Sequence, residues 1–533
     1  MTLSTSKGLL TFLILFFLSC EKISQSSFKN SVISSAHPLA SKTGFEIYMK
    51  GGNAFDASVA AAFTLSVVEP SMSGLGGRIQ VIYKTSEGNI AGIDGSTEVP
   101  GNYVDKNEKF KYGYSTIGIP GVVAGLISLH EGKGNLPLDE VIAPAIKYAN
   151  EGFRLLPGEA NRQQSVKGEL QEFEGTRHHF MINDSISYRA GDLFVQNDLA
   201  KVLESIAKKG KAGFYEGEIA NKIVNDLQSN GSILSLEDLK NYKALESKIL
   251  TGKFADKNIF TLFLPSFGAI TIQVLQILDN LKIPENENEW ALQHGRVIEK
   301  AYQYRDLQTD SIKLKEIISY EKAELLANEI FNKQKEILSV ADEMPISWTS
   351  IDGHTTHLTT ADKWGNVVAL TQTIGPTMGS KVASKGLGFL YAVTLGGYLG
   401  NYKPGDRANS HISPTLIEKN GEILLALGAA GGSRIIPAVT QVTDRYFRQN
   451  HSLETSLKLP RVYPYNDSLW VENHIGVEKL NASFEDKNLP LKYVDEIARF
   501  GRVHAIALKG QKWIGSSDPD WEGTTEYFPY NEN

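Results

Sequence analysis

The segment IDGHTTHLTTADKWGNVVALTQT, residues 351–373, carries six threonines in two short β-like runs around the turn DKWGN. Threonine favours strands, so the plain reading is a polar hairpin. The chemical reading is that one hydroxyl is a nucleophile. With 362–366 as the loop, Ala361 is predicted to pair with Val367, and counting outward sets Thr355 opposite Thr373. Directly opposed residues of an antiparallel pair share a face, with Cβ atoms about 5 Å apart. The same face would carry His357, Thr359, Val367, Ala369 and Thr371, and the other Thr356, Leu358, Val368 and Leu370. A lone threonine hydroxyl is a poor nucleophile and needs a base. No His/Asp partner stands at a recognisable spacing. A threonine made N-terminal by cleavage would carry its own base, an α-amine with a pKa of about 7.7–8.0. A cross-strand Thr–Thr pair is equally a common stabilising device, so spacing alone leaves both readings open.

The elements that must position this hairpin are legible in part. TGFEIYMKGG reads as a helix closed by Gly51-Gly52. NAFDASVAAAFTLSVVEP reads as a second helix, capped by Asn53, stopping before Pro70 and apolar or small on nearly every side, as a buried helix should be. RIQVIYKTSEGNIAGID alternates around a Gly-Asn turn and is predicted as a hairpin. GIPGVVAGLISLHE and LPLDEVIAPAIKYANEGF read as a loop followed by two core-facing helices. From about 195 to 345 the pattern is mostly helical, with a capping-box-like SLEDL at Ser235–Leu239, interrupted by the strand NIFTLFLP at 258–265. A Lys/Glu-rich amphipathic stretch at 311–340 reads as a solvated face. After 350 strand follows strand at 355–373, 413–428 and 503–515. Helices first and strands last predict a mixed α/β protein of helices layered on sheets. The one boundary, near 350, is a change of pattern with no Pro/Ser linker.

A chain of 533 residues can bury a large core, and 41% hydrophobic with 22% charged residues is ordinary for a folded protein. Its 48 glycines cluster in pairs, pointing to tight turns and close backbone approaches. A net charge of −7 gives no basic footprint for nucleic acid. The first residues, MTLSTSKGLLTFLILFFLSC, place Lys7 before an apolar run from Leu9 to Leu18. That run is shorter than the roughly 20 residues a membrane span needs and reads as a signal peptide, 1–19. Cys20 is the single cysteine of the chain, so disulfides play no part. Its setting resembles a bacterial lipobox, with Phe17 where leucine is usual. The expectation is an exported, lipid-anchored protein of the bacterial periplasm or cell surface; a plain cleaved signal with an incidental Cys20 is the alternative.

Beyond its spacing, the hairpin resembles that of the γ-glutamyltranspeptidase family of N-terminal-nucleophile hydrolases. The resemblance runs in order through GGNAFDASVAAAFTLSVVEP (51–70), GIPGVVAGL (118–126), LPLDEVIAPAIKYANEGF (136–153) and GFYEGEIANKI (213–223). It continues through TTH, DKWGN and TQT, then SPT (413–415), GAAGGSRII (428–436) and GSSDPD (515–520). Each motif is weak singly; together and in order they are specific. The resemblance implies an α/β fold of the αββα type, two stacked sheets flanked by helices. It implies cleavage at His354–Thr355 into a large segment, 20–354, and a small one, 355–533, forming one unit. Thr355 is then the nucleophile with its freed α-amine as base, Thr373 the threonine that orients it, and Gly431 and Gly432 the oxyanion-hole pair. Amide hydrolysis or acyl transfer is implied, with a small-molecule or peptide amide as substrate and water or an amine as acceptor. No cofactor and no metal is expected.

The departures from the family pattern concern the acyl group. The family arginine that holds the glutamyl α-carboxylate is replaced in IDGSTEVP, where Ser96 takes its place. The aspartate that holds the α-amine is missing from TLGGY (394–398), and an asparagine two residues after the second threonine aligns with Gly375. Of the family's serine pair before SPT, Ser410 remains and His411 replaces its neighbour. The glycine run near the first helices is broken by Arg78 in GLGGR. Fourteen residues separate Tyr398 from Ser413, fewer than in members with a lid loop, which predicts an open site. Asp406, Arg407, His411 and Arg78 are candidate substitute anchors, with Ser96, Ser410 and His411 the positional matches to the family's binding residues. Three readings stay open. One is an active amidase or acyltransferase for a non-standard acyl group. Another is a γ-glutamyltransferase or glutathione hydrolase with relocated anchors. The last is a degenerate binding protein. Loss of two charge-assisted contacts weighs against the second, and retention of both threonines and the glycine pair against the third.

Overall fold

The computed structural model describes residues 28–105, 110–332, 354–396, 402–466, 468–473, 490–496, 499–520 and 522–529. The expected signal peptide, Cys20 and the 397–401 part of the expected open rim lie outside them.

Two antiparallel sheets stack face to face. The first has seven strands in the order Thr524–Pro529, Asn30–Ser35, Thr356–Ala361, Val367–Thr373, Arg78–Lys84, Ile90–Gly95, Leu245–Glu246. The second has six, in the order Lys512–Ser517, Arg502–Lys509, Glu422–Ala430, Thr415–Lys419, Lys257–Leu262, Ile249–Phe254. Between them lies a dry layer that includes Val32, Ile82, Ala369, Leu416, Ala426, Ile506 and Trp513. Outside the first sheet, Leu358, Val368 and Leu370 pack in a cluster with the helix Ala54–Val68. Outside the second, Ile417, Leu425 and Leu427 pack with the helices Gly268–Asp279 and Ile435–Phe447. The order is helix, sheet, sheet, helix, the fold class expected from the sequence.

Local chemistry sets several of these elements. Every residue of Ala54–Val68 is buried, as its nearly uniform apolar surface requires. Its first turn is a reciprocal capping box, in which the Asn53 side chain accepts from the Asp56 N–H (3.1 Å) and the Asp56 carboxylate accepts from the Asn53 N–H (2.9 Å). In the threonine hairpin the register is the one derived from turn symmetry, Ala361 opposite Val367 through Thr356 opposite Gln372. Asp362 closes the turn, accepting from the backbone N–H groups of Trp364 (2.9 Å) and Asn366 (3.0 Å). It also accepts from the Ala54 N–H (2.9 Å), which fastens the turn to the start of the buried helix. Burial pushes this carboxyl up, to about 6, against the pull of those donors.

The expectations failed in identifiable places. Ile249–Phe254 is a strand inside a stretch read as helical, paired with Lys257–Leu262 through Ala255 and Asp256 at positive φ. Ile435–Phe447 is a helix between two stretches read as strands, where the sequence reading assigns no element. Its run of Ile, Val and Thr favours strand locally, but it is buried from Ile435 to Arg445 against the second sheet, and packing overrides propensity. Both sheets interleave strands from either side of residue 350, so the two segments share one layered core. Among the described residues no helix is long and apolar enough to cross a membrane.

Candidate active site

Thr355 immediately precedes the first hairpin strand, whose first pair is Thr356–Gln372, and Thr373 ends the second strand. Thr373 pairs in turn with Arg78 on the next strand. The face assignment holds along the hairpin. His357 Nδ1 bonds the Thr371 hydroxyl (2.7 Å) and Nε2 bonds the Thr359 hydroxyl (3.0 Å), while Leu358 and Leu370 pack on the helix side. The His357 ring fits against Gly428 of the second sheet, where an added Cβ would overlap it. Burial holds its pKa down, to about 3, so the ring is neutral.

The His354–Thr355 peptide has two unusual features. Thr355 has φ of 109°, a region a β-branched residue rarely adopts, at a cost of about 1–3 kcal/mol. The carbonyl oxygen of His354 accepts a hydrogen bond from the Gly431 N–H at 3.1 Å. Gly431 itself has φ of 139° and stands where the strand Glu422–Ala430 turns into the short 3-10 helix Gly432–Arg434, with Gly432 at φ 59°. The strand-to-helix turn and the glycine pair are therefore the same object, and its backbone points one N–H at the carbonyl of the bond before Thr355. His354 is buried, its Nδ1 3.3 Å from the Thr377 hydroxyl, and burial first, then Lys381 and Arg434, holds its pKa well below the usual value.

Thr373 Oγ1 accepts from the Gly375 N–H at 3.0 Å, so the glycine that stands where the family has asparagine touches the second threonine through its backbone. Among the described residues no hydrogen bond joins the Thr355 and Thr373 hydroxyls. On the opposite face, the Thr356 hydroxyl donates to the buried Glu69 (2.7 Å), which also faces Arg162 (3.4 Å) and Arg502 (3.5 Å). Burial pushes the Glu69 carboxyl up while Arg502, Arg162 and Thr356 pull it down. Sequence reading missed this network; its signal was an acid at the end of an otherwise apolar helix, VVEP.

The expected binding residues fall into two groups. Ser96 is buried, accepting from Gln80 Nε2 (2.9 Å) and donating its backbone N–H to Asp94 (2.8 Å). Ser410 and His411 lie on the loop before the strand Thr415–Lys419. Ser410 donates its backbone N–H to Pro265 O (2.8 Å), and His411 Nε2 accepts from Arg305. Burial first, then Arg305, Arg434 and Arg78, holds the His411 pKa well below the usual value, so the ring is neutral there. Of the substitute anchors, Arg407 is paired to Asp94 (3.1 Å) and Glu98 (3.4 Å), and Asp406 accepts from the Lys403 N–H (2.8 Å). Arg78 donates to the main-chain oxygens of Val393 (2.7 Å) and Asn409 (3.5 Å), thereby bridging the two segments where the family's glutamate contacts would lie.

Face-to-face antiparallel sheets between helical layers, with a threonine and a glycine turn at one strand end, define an N-terminal-nucleophile hydrolase fold. The crystal structure of a cephalosporin acylase from Bacillus halodurans has this fold, with a TM-score of 0.82 covering 94% of this chain and 96% of that chain at 23% identity. Residues 40–528 match the gamma-glutamyltranspeptidase family, and the chain belongs to it as a hydrolase/transpeptidase proenzyme. It is 29% identical over 490 residues to the glutathione hydrolase proenzyme of Escherichia coli, covering 85% of this chain and 83% of that protein. It is 28% identical over 488 residues to an acylase proenzyme of a Pseudomonas species, covering 86% of each.

Proposed function

We propose that the chain cuts itself at His354–Thr355 and then works as an N-terminal threonine amidohydrolase or acyltransferase for an acyl group other than γ-glutamyl. The observation that carries this reading is the strained Thr355 whose preceding carbonyl rests on the Gly431 N–H. In the cut, Thr355 Oγ adds to the His354 carbonyl carbon, the peptide C–N bond breaks to leave an ester and a free α-amine, and water hydrolyses the ester. The Gly431 N–H, together with Gly432, then serves the oxyanion of each acyl transfer; such donors contribute several kcal/mol. In catalysis the Thr355 amine takes the hydroxyl proton as Oγ attacks the substrate amide, and passes it to the departing amine. Water or an amine acceptor then releases the acyl group.

The acyl preference follows from the missing grip. Ser96 cannot make a bidentate contact to a carboxylate, and Arg407 is already neutralised by Asp94 and Glu98. Relatives named glutathione hydrolases support the γ-glutamyl alternative, and an assay decides between them. Wild type is expected to turn over a glutaryl anilide faster than the γ-glutamyl anilide; the reverse order would overturn the preference.

The processing step is read on a denaturing gel. Wild type should give two chains of roughly 37 and 20 kDa, the shares of a 58.6 kDa chain made up by residues 20–354 and 355–533, and Thr355→Ala a single chain. One band from wild type would sink the mechanism. We also propose export and lipid anchoring through Cys20, supported by the apolar run that precedes it; Cys20→Ala should then lose incorporation of labelled palmitate.

A further inference from the structure

Two histidines and an aspartate that have no part in the acyl-transfer groups described above converge at the surface. His178 and His179 sit in the last turn of the helix Glu174–Phe180, and Asp198 in the first turn of the helix Asn197–Lys209. Each offers one ligand atom, and the three atoms lie within 4.8 Å of one another. His178 is exposed, while His179 and Asp198 are half-buried, so the group is open to solvent on one side only.

The elements beneath are fixed where the group needs them to be. Phe180, next to His179, is buried and packs its ring against that of Phe194 (5.9 Å between centroids), and Leu199, next to Asp198, is buried as well. The helix of the histidines lies so close to the segment 381–384 that Gly175 has no room for a Cβ beside Ala383 O. There the Thr176 hydroxyl donates to Lys381 O at 2.7 Å. His179 joins the same segment, with Nε2 3.2 Å from Ser384 O. A carbonyl oxygen only accepts, so Nε2 carries the ring proton and Nδ1 keeps its lone pair. One ring N–H held by a main-chain carbonyl, with the other nitrogen left to ligate, is the usual outer contact of a metal-binding histidine. Asp198 also accepts from Lys201 (2.9 Å), but that lysine side chain is 70% exposed, and a pair so open to water yields to a divalent cation.

We propose that His178, His179 and Asp198 form a binding site for a divalent cation of the zinc class, with water completing its coordination. Two imidazoles and one carboxylate suit Zn2+, whereas Mg2+ and Ca2+ take oxygen ligands. Bonds of about 2.1 Å in a tetrahedral site set ligand atoms about 3.4 Å apart, a spacing that side-chain rotation of this group reaches. The ion fastens the helix Glu174–Phe180 to the helix Asn197–Lys209 and, through His179 and Ser384, to the segment 381–384. It is a staple between parts of the chain remote in sequence.

The test uses the full, untagged chain after treatment with a chelator. Calorimetry with Zn2+ is expected to show one ion bound per chain, not displaced by an excess of Mg2+ or Ca2+. His178→Ala, a change at an exposed side chain, and Asp198→Asn should each weaken binding by at least about 10-fold, the scale on which groups that merely support metal ligands already count. Zn2+ should also raise the thermal unfolding midpoint of wild type and leave that of His178→Ala unmoved. No binding by wild type, or binding undiminished in both variants, would overturn the site. An equal rise of the midpoint in wild type and His178→Ala, or a rise in neither, would overturn the staple.

Discussion

At the residue scale, the geometry around Thr355 separates two neighbouring glycines. A Cβ on Gly431 would sit 2.7 Å from Gly501 Cα, at a φ of 139°, so Gly431→Ala must shift the backbone that carries its N–H. Self-cleavage is expected to slow about 100-fold or more, the scale of losing one oxyanion donor. Gly432 has open space around it, so Gly432→Ala faces only the cost of φ 59°, about 1–2 kcal/mol. Equal cleavage half-times for the two variants would contradict this. His357 gives a pH prediction. Its folded pKa, about 3, lies below the ordinary histidine value of 6.5, so the stability it contributes is full above 6.5 and is lost as pH falls from 6.5 toward 3. In the uncut Thr355→Ala background, the wild-type residue should lose about 1.4 kcal/mol per pH unit relative to His357→Gln in that window. Urea unfolding at pH 7.5, 6 and 5 reads the difference, and a constant gap refutes it.

At the scale of elements, the nucleophile strand is gripped from both sides. Its inner face meets the second sheet through His357 and Gly428, and its outer face meets the buried helix through the Thr356–Glu69 bond and the Ser58–Thr360 hydroxyl pair (2.7 Å). Glu69 stands at the end of that helix, between Arg162 and Arg502. Glu69→Gln leaves two buried guanidinium groups short of a charge and should cost about 3–5 kcal/mol, again measured in Thr355→Ala. A cost below about 1 kcal/mol would mean that Glu159, which also pairs with Arg162 (2.8 Å), holds the network alone. The partners of Glu69 were illegible in the sequence because Arg162, Thr356 and Arg502 lie 93, 287 and 433 (502 − 69) positions from it. The hairpin was legible because register within one turn depends on local counting alone.

At the scale of the molecule, cleavage before Thr355 would leave two chains that share both sheets. Asn30–Ser35 is inserted between Thr524–Pro529 and Thr356–Ala361, and Lys257–Leu262 pairs with Thr415–Lys419. Separating the chains would break these ladders and expose the layer between the sheets. The two fragments are therefore expected to co-elute in native size exclusion and to part only in denaturant. Fragments eluting apart without denaturant would show that the interleaving does not hold them.

The sequence by itself determined the buried alanine-rich helix with its Asn53 cap, the hairpin register from Ala361–Val367 to Thr356–Gln372, and the order of family motifs. All of these rest on local spacing, capping chemistry or residue identity. Only the tertiary structure decided that Ile435–Phe447 is a helix, that the early and late strands share sheets, and that the Gly431 N–H reaches the His354 carbonyl. The same holds for the anchors. Arg407 and Arg78 are equivalent as letters, but one is paired with two carboxylates and the other is buried with none among the described residues, and a charge's role is set by the groups folding brings to it.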